Sequence, residues 1–194
     1  LLHFEESSKS DFALVLGRIC PEKNAHAALE AGTIAGTRVL LAGQVFPYLE
    51  HRRYFTDKIE PLLRRSPGNV EHEFLGPLDP DRRQRLLSSA KCLLHPTLAP
   101  ETSSLVAMEA LAAGTPVIAY RSGALPDIVE HGVTGFLVDS VEEMADALGK
   151  VHTLSSQACR HAAEQRFSSE RMVREYLQMY ESILYEQNSG RLHG

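Results

Sequence analysis

The chain has 194 residues, 43% hydrophobic and 23% charged, enough for one substantial core and too apolar to stay disordered. A formal charge of −5 argues against the broad basic surface that nucleic acids or anionic membranes recruit, so anion-binding groups must be few and locally placed. Cys20, Cys92 and Cys159 are far apart, odd in number and without a C-x-x-C pair, which fits a reducing, cytoplasmic setting. No apolar run approaches a membrane span, and the start has neither a basic n-region nor an apolar h-region. The first residue is Leu1 rather than Met, as in a processed chain or a piece of a longer one.

In chain order, apolar β-rich runs predict six strands at 12–17, 37–43, 70–76, 91–96, 116–120 and 135–139. Helix-like segments lie between them at 24–32, 48–65, 80–90, 102–113 and 124–131, joined by Gly, Pro or Asp. This alternation predicts an α/β fold, a doubly wound parallel sheet with helices on both faces. The remainder reads as helices at 141–154, 155–165 and 168–186, with 188–194 a loose tail. In the last helix Met172, Tyr176, Met179, Tyr180 and Ile183 recur at spacings of 3 and 4, with Ser168 or Ser169 as N-cap, so one apolar face must dock on something.

Two loops at carboxyl ends of strands carry unusual chemistry. "GRICPEKN", residues 17–24, sets Arg18 and Lys23 behind Gly17, a fork and a point charge that together suit a diphosphate, although solvated surface charges read the same way. It is neither G-x-G-x-x-G nor a P-loop. "PTLAPETSSL", residues 96–105, sets the hydroxyls of Thr102, Ser103 and Ser104 at a helix start, where an anion is favoured and where simple capping is the plain alternative.

Glu101 stands at that helix mouth, and Glu109 lies inside the apolar run "LVAMEALA", about 12 Å further on if the run is helical. That separation is too long for an acid/base pair on one bond and suits two regions of one extended ligand. Glu109 could hold adjacent ribose hydroxyls or form a buried ion pair with a distant Arg, and spacing does not choose between them. The Arg clusters at 52–53, 64–65 and 82–85 read as solvated faces, and the histidines show no metal-ligand spacing.

"PETSSLVAMEALAAGTPVIAYRSGALPDIVEHGVTGFLV", residues 100–138, resembles the E-x7-E signature and the ordered glycine turns of retaining GT-B glycosyltransferases of the family 4, group 1 type. The resemblance covers about 11–185 and implies the C-terminal, Rossmann-like half of such an enzyme, a single domain over 1–187 that binds a nucleotide-diphosphate sugar. The resemblance implies that Arg18 and Lys23 hold the diphosphate, Glu109 the ribose and Glu101 the transferred sugar. By the same resemblance Thr102–Leu105 offer backbone amides to sugar and phosphates, and Gly76, Pro77 and Leu78 lie at the base. Arg18, Lys23 and Glu101 would be the catalytic set, with no protein-bound metal and no cofactor beyond the donor.

An N-terminal acceptor domain is the implied partner, peripheral membrane contact of the full enzyme stays open, and the isolated domain would transfer little sugar. Thr102-Ser103-Ser104 stands where the family often has Gly-Phe-Gly, and Gly123-Ala124 with Asp127 where it has Gly-Gly and Glu. A non-transferring nucleotide-binding module, or another GT-B enzyme such as a sugar-nucleotide epimerase, is the alternative.

Overall fold

The computed structural model describes residues 9–64 and 70–191, with side chains as far as residue 185. Its sheet has six strands, β1 (Phe12–Leu16), β2 (Arg38–Ala42), β3 (Glu73–Gly76), β4 (Cys92–His95), β5 (Val117–Tyr120) and β6 (Gly135–Val138). All neighbours run parallel in the order β3-β2-β1-β4-β5-β6. The helices are α1 (Ala25–Ile34), α2 (Leu49–Tyr54), α3 (Glu60–Arg64), α4 (Pro80–Ser89), α5 (Leu105–Ala112) and α6 (Leu125–Ile128), then α7 (Val141–Lys150), α8 (Ser156–Phe167) and α9 (Ser169–Arg191). A π turn at Phe55–Ile59 joins α2 to α3.

Strands covered on both faces read as continuous apolar runs, and period-2 alternation sorts their side chains between two cores. Ala13 and Val15 pack with Ala28, Leu29, Ile59, Met144 and Leu148 beneath α1, the α2–α3 segment and α7. Leu14 and Leu16 pack with Leu87, Ala107, Leu111, Leu125 and Cys159 beneath α4, α5, α6 and α8. Punctuation residues start the helices as expected: the Asp79 carboxylate caps α4 through the Arg82 N–H (2.8 Å) with Pro80 behind it. The Ser140 hydroxyl caps α7 through Glu143 N–H (3.1 Å), and the Ser168 hydroxyl caps α9 through Arg171 N–H (3.3 Å).

Some expected boundaries move. The third strand begins at Glu73 rather than 70, and residue 65, placed in a helix, lies outside the described residues. The helix expected from 102 begins at Leu105, because Ser104 has φ −120° and ψ 90° and its hydroxyl turns to His95. The helix at 124–131 is only Leu125–Ile128, and the one at 141–154 ends at Lys150 before a 3₁₀ turn.

Of the expected loose tail, 188–191 is helical backbone continuing α9, since each residue added to an existing helix gains a hydrogen bond without a new nucleus, and 192–194 lies outside the described residues. Met172, Tyr176, Met179, Tyr180 and Ile183 of α9 are each 43–56% exposed, so their stripe is largely uncovered by the domain that carries it. Among the described residues no helix is long and apolar enough to cross a membrane.

Candidate functional site

The chain leaves β3 to return beside β1 as β4, so the sheet reverses between β1 and β4 and opens a crevice at their carboxyl ends. A cleft of about 490 Å³ occupies that position. Its walls are Gly17, Arg18 and Lys23 after β1, Gly43, Gln44 and Phe46 after β2, Pro77 and Leu78 after β3, Arg83 of α4, His95 of β4, and Leu105 and Val106 of α5.

Close backbone approach shapes the rim. Gly17 N–H donates to Ala42 O (3.1 Å) and Gly43 N–H to Gly76 O (2.9 Å), and a Cβ on Gly43 would overlap the Gly17 carbonyl. Pro21–Lys23 then form a 3₁₀ turn whose end, Asn24, takes φ 54° before α1. This turn is tied to the loop after β4: the Glu22 carbonyl accepts Leu98 N–H at 2.9 Å and the Thr97 hydroxyl at 3.3 Å. On the loop's other side Ala124 N–H donates to Glu101 O at 2.8 Å, and a Cβ on Gly123 would overlap the Glu101 backbone.

That fastening puts Glu101 beside two bases. Lys23 Nζ donates to its Oε1, and Nε2 of His95 lies 3.3 Å from the same oxygen and 3.2 Å from the Ser104 hydroxyl. The carboxylate contact requires an Nε2–H, and Ser104 accepts a share of it. Desolvation pushes the Glu101 carboxyl upward, but the hydrogen bonds from His95 and Lys23 outweigh it and hold the group at about 2. Glu109 on α5 receives both terminal nitrogens of Arg83, so a fork-to-carboxylate pair spans α4 and α5 at the cleft wall.

Of the residues singled out in the sequence, Gly17, Arg18, Lys23, Pro77, Leu78 and Leu105 line the cleft. Glu101 and Glu109 join it through Lys23 and Arg83, and Gly76 precedes Pro77 with φ 67°. Thr102 and Ser103 are exposed, whereas Ser104 is buried against His95. The plain capping alternative fails for Ser104, whose side chain makes no cap bond to α5.

Arg83 corrects the reading of residues 82–85 as a solvated face: it points across to α5 and pairs with Glu109. The ion-pair alternative for Glu109 is therefore realised, although with Arg83 and Glu109 side chains 41% and 27% exposed the pair is not buried. No metal-ligand spacing points to His95. A polar residue closing the apolar strand "CLLH", beside the switch point, was the available signal. Among the described residues one Cys, His and acid group could share a metal ion, Cys20, Glu22 and His51, and none of the three lines the cleft.

A doubly wound parallel sheet in this order, with cations and acids gathered at its switch point, defines a Rossmann-like ligand-binding domain. The chain belongs to the group 1 glycosyl transferases, whose family profile matches residues 3–167. It is 35% identical over 119 residues to a D-inositol 3-phosphate glycosyltransferase of Corynebacterium urealyticum, a match over 57% of this chain and 27% of that protein. AviGT4, a glycosyltransferase involved in avilamycin A biosynthesis, superposes with TM-score 0.76 at 27% identity over 92% of this chain and 52% of its own. HepE of Anabaena, solved in complex with UDP and glucose, has the same fold, with TM-score 0.77 at 22% identity over 90% and 49% of the two chains. The chain thus spans about half the length of these solved relatives.

Proposed function

We propose that this chain is the donor-binding half of a retaining glycosyltransferase and that the cleft between β1 and β4 takes a nucleotide-diphosphate sugar. The observation that carries the reading is the convergence of Arg18 and Lys23 from the loop after β1 with Glu101 from the loop after β4, fastened to each other through Glu22 O. The diphosphate then lies against Arg18 and Lys23, which neutralise the charge that develops as the sugar–phosphate bond breaks. Glu101 faces the transferred sugar, with the exposed Thr102–Ser103 turn beside it.

Glu109 accepts the ribose hydroxyls while Arg83 fixes its plane, because a carboxylate has lone pairs for both partners. Gly76, Pro77 and Leu78 border the base. The acceptor is held by a separate N-terminal domain, and the exposed apolar stripe of α9 supports such a partner, being surface that this domain leaves uncovered.

The test is a thermal melt of the chain with UDP, GDP and ADP and their sugars. One nucleotide series raises Tm in proportion to the logarithm of ligand concentration. A folded chain that none of the six stabilises at millimolar ligand overturns the reading. A chain stabilised by nucleotide, whose full-length parent epimerises the sugar instead of transferring it, favours the epimerase alternative.

A further inference from the structure

A second set of chemically distinct groups gathers at the 3₁₀ turn that presents Lys23. The Cys20 sulfur, a Glu22 carboxylate oxygen and a ring nitrogen of His51, from the first turn of α2, all lie within 4.8 Å of one another. Cys20 is fully buried and His51 is 9% exposed, and the buried Nδ1 of His51 has no hydrogen-bond partner. An unpartnered buried nitrogen is costly enough that native structures rarely retain one without a ligand or water. Tyr48 and Phe46 pack edge-on against the ring, with centroids 5.2 and 6.4 Å distant. The Cys20 thiol makes a long contact, 3.8 Å, to the Arg18 carbonyl and shares a hydrogen bond with the Glu22 carboxylate.

We propose that Cys20, Glu22 and His51 form a binding site for a borderline-soft divalent cation of the Zn²⁺ class, separate from the donor cleft. One thiolate, one imidazole and one carboxylate match that class, whereas Mg²⁺ and Ca²⁺ take oxygen donors throughout. Tetrahedral bonds to S, N and O place such donors about 3.3–3.8 Å apart, a small closure from the present spacing. Water completes the fourth position. On binding, the S–H bond of Cys20 breaks, a sulfur–metal bond forms and one proton leaves to solvent. Occupancy ties the turn that carries Lys23 to α2 and so limits how far the phosphate side of the cleft moves.

The 194-residue chain, reduced and freed of chelator, is titrated with Co²⁺ as a spectroscopic stand-in, followed by Zn²⁺. The wild type develops a thiolate-to-cobalt absorption with four-coordinate visible bands, and Zn²⁺ abolishes both. Cys20→Ser loses the thiolate band, and His51→Gln weakens Co²⁺ binding at least about tenfold, whereas His152→Gln at an exposed position changes nothing. Glu22→Gln guards against a folding defect, since that side chain is exposed: it keeps the native circular dichroism and also weakens Co²⁺ about tenfold. Absence of the band in folded wild type, its persistence in Cys20→Ser, or unchanged affinity in both His51→Gln and Glu22→Gln overturns the proposal. None of these readouts depends on nucleotide binding.

Discussion

Replacing Glu109 by Ala separates its two duties. In the free chain its partner is Arg83, and with side chains 27% and 41% exposed the pair falls in the range of surface ion pairs, about 0–1 kcal/mol. The released guanidinium returns to water, so the melting temperature drops by no more than about 2–4 °C. Ligand binding responds more strongly. Hydrogen bonds to a charged acceptor contribute about 1.5–3 kcal/mol, so losing the ribose contact weakens the preferred nucleoside diphosphate about 10- to 150-fold. Pyrophosphate, which has no ribose, should bind the variant within about twofold of wild type by the same arithmetic. Isothermal titration of both ligands against wild type, Glu109→Ala and Lys23→Ala gives the comparison, with Lys23→Ala weakening both. A Glu109→Ala chain that loses pyrophosphate as much as nucleotide, or keeps full nucleotide affinity, refutes the assignment of the ribose to Glu109.

Three further outcomes are expected. The Glu101 carboxyl is held at about 2 against an ordinary 4.5, so its contribution to stability is complete above 4.5 and drains away as pH falls through about 2. The stability gap between wild type and Glu101→Gln in denaturant melts should close over that window, and a gap independent of pH would sink the ion-pair account. Gly123→Ala places a Cβ against the Glu101 backbone at φ 54°, where strain and overlap together cost about 2–4 kcal/mol. A change below about 0.5 kcal/mol in urea melts would show that the loop yields freely. Leu111→Ala, at a fully buried position under the sheet, should cost about 2–5 kcal/mol without changing which nucleotide binds. A variant as stable as wild type would mean that this part of the core is not packed as described.

The strands and their alternation with helices were legible because parallel strands covered on both faces leave uninterrupted apolar runs, and Gly, Pro and Asp mark the joints. The loops after β1 and β4 were legible because Arg18, Lys23, Glu101 and Glu109 are conspicuous against their surroundings. The partners of those acids were harder to see. Arg83 and Glu109 stand on different helices, 26 residues apart, and no local periodicity encodes how α4 faces α5. The hydroxyls at 102–104 suggested a capped helix start, but His95 competes for Ser104, and a contact formed by the fold overrides a preference written in the local sequence.

The fastening of the loops after β1 and β4 through Glu22 O bears on how this region can diverge. Acceptor and strongest donor both belong to the main chain, residues 22 and 98, so exchanging most side chains there leaves the knot tied. Insertion or deletion between 96 and 99 undoes it, and a proline at 98 removes its shortest bond, leaving Glu22 O to the Thr97 hydroxyl and the Ala99 N–H. In a diverging lineage the length of this segment should therefore be kept more strictly than its spelling.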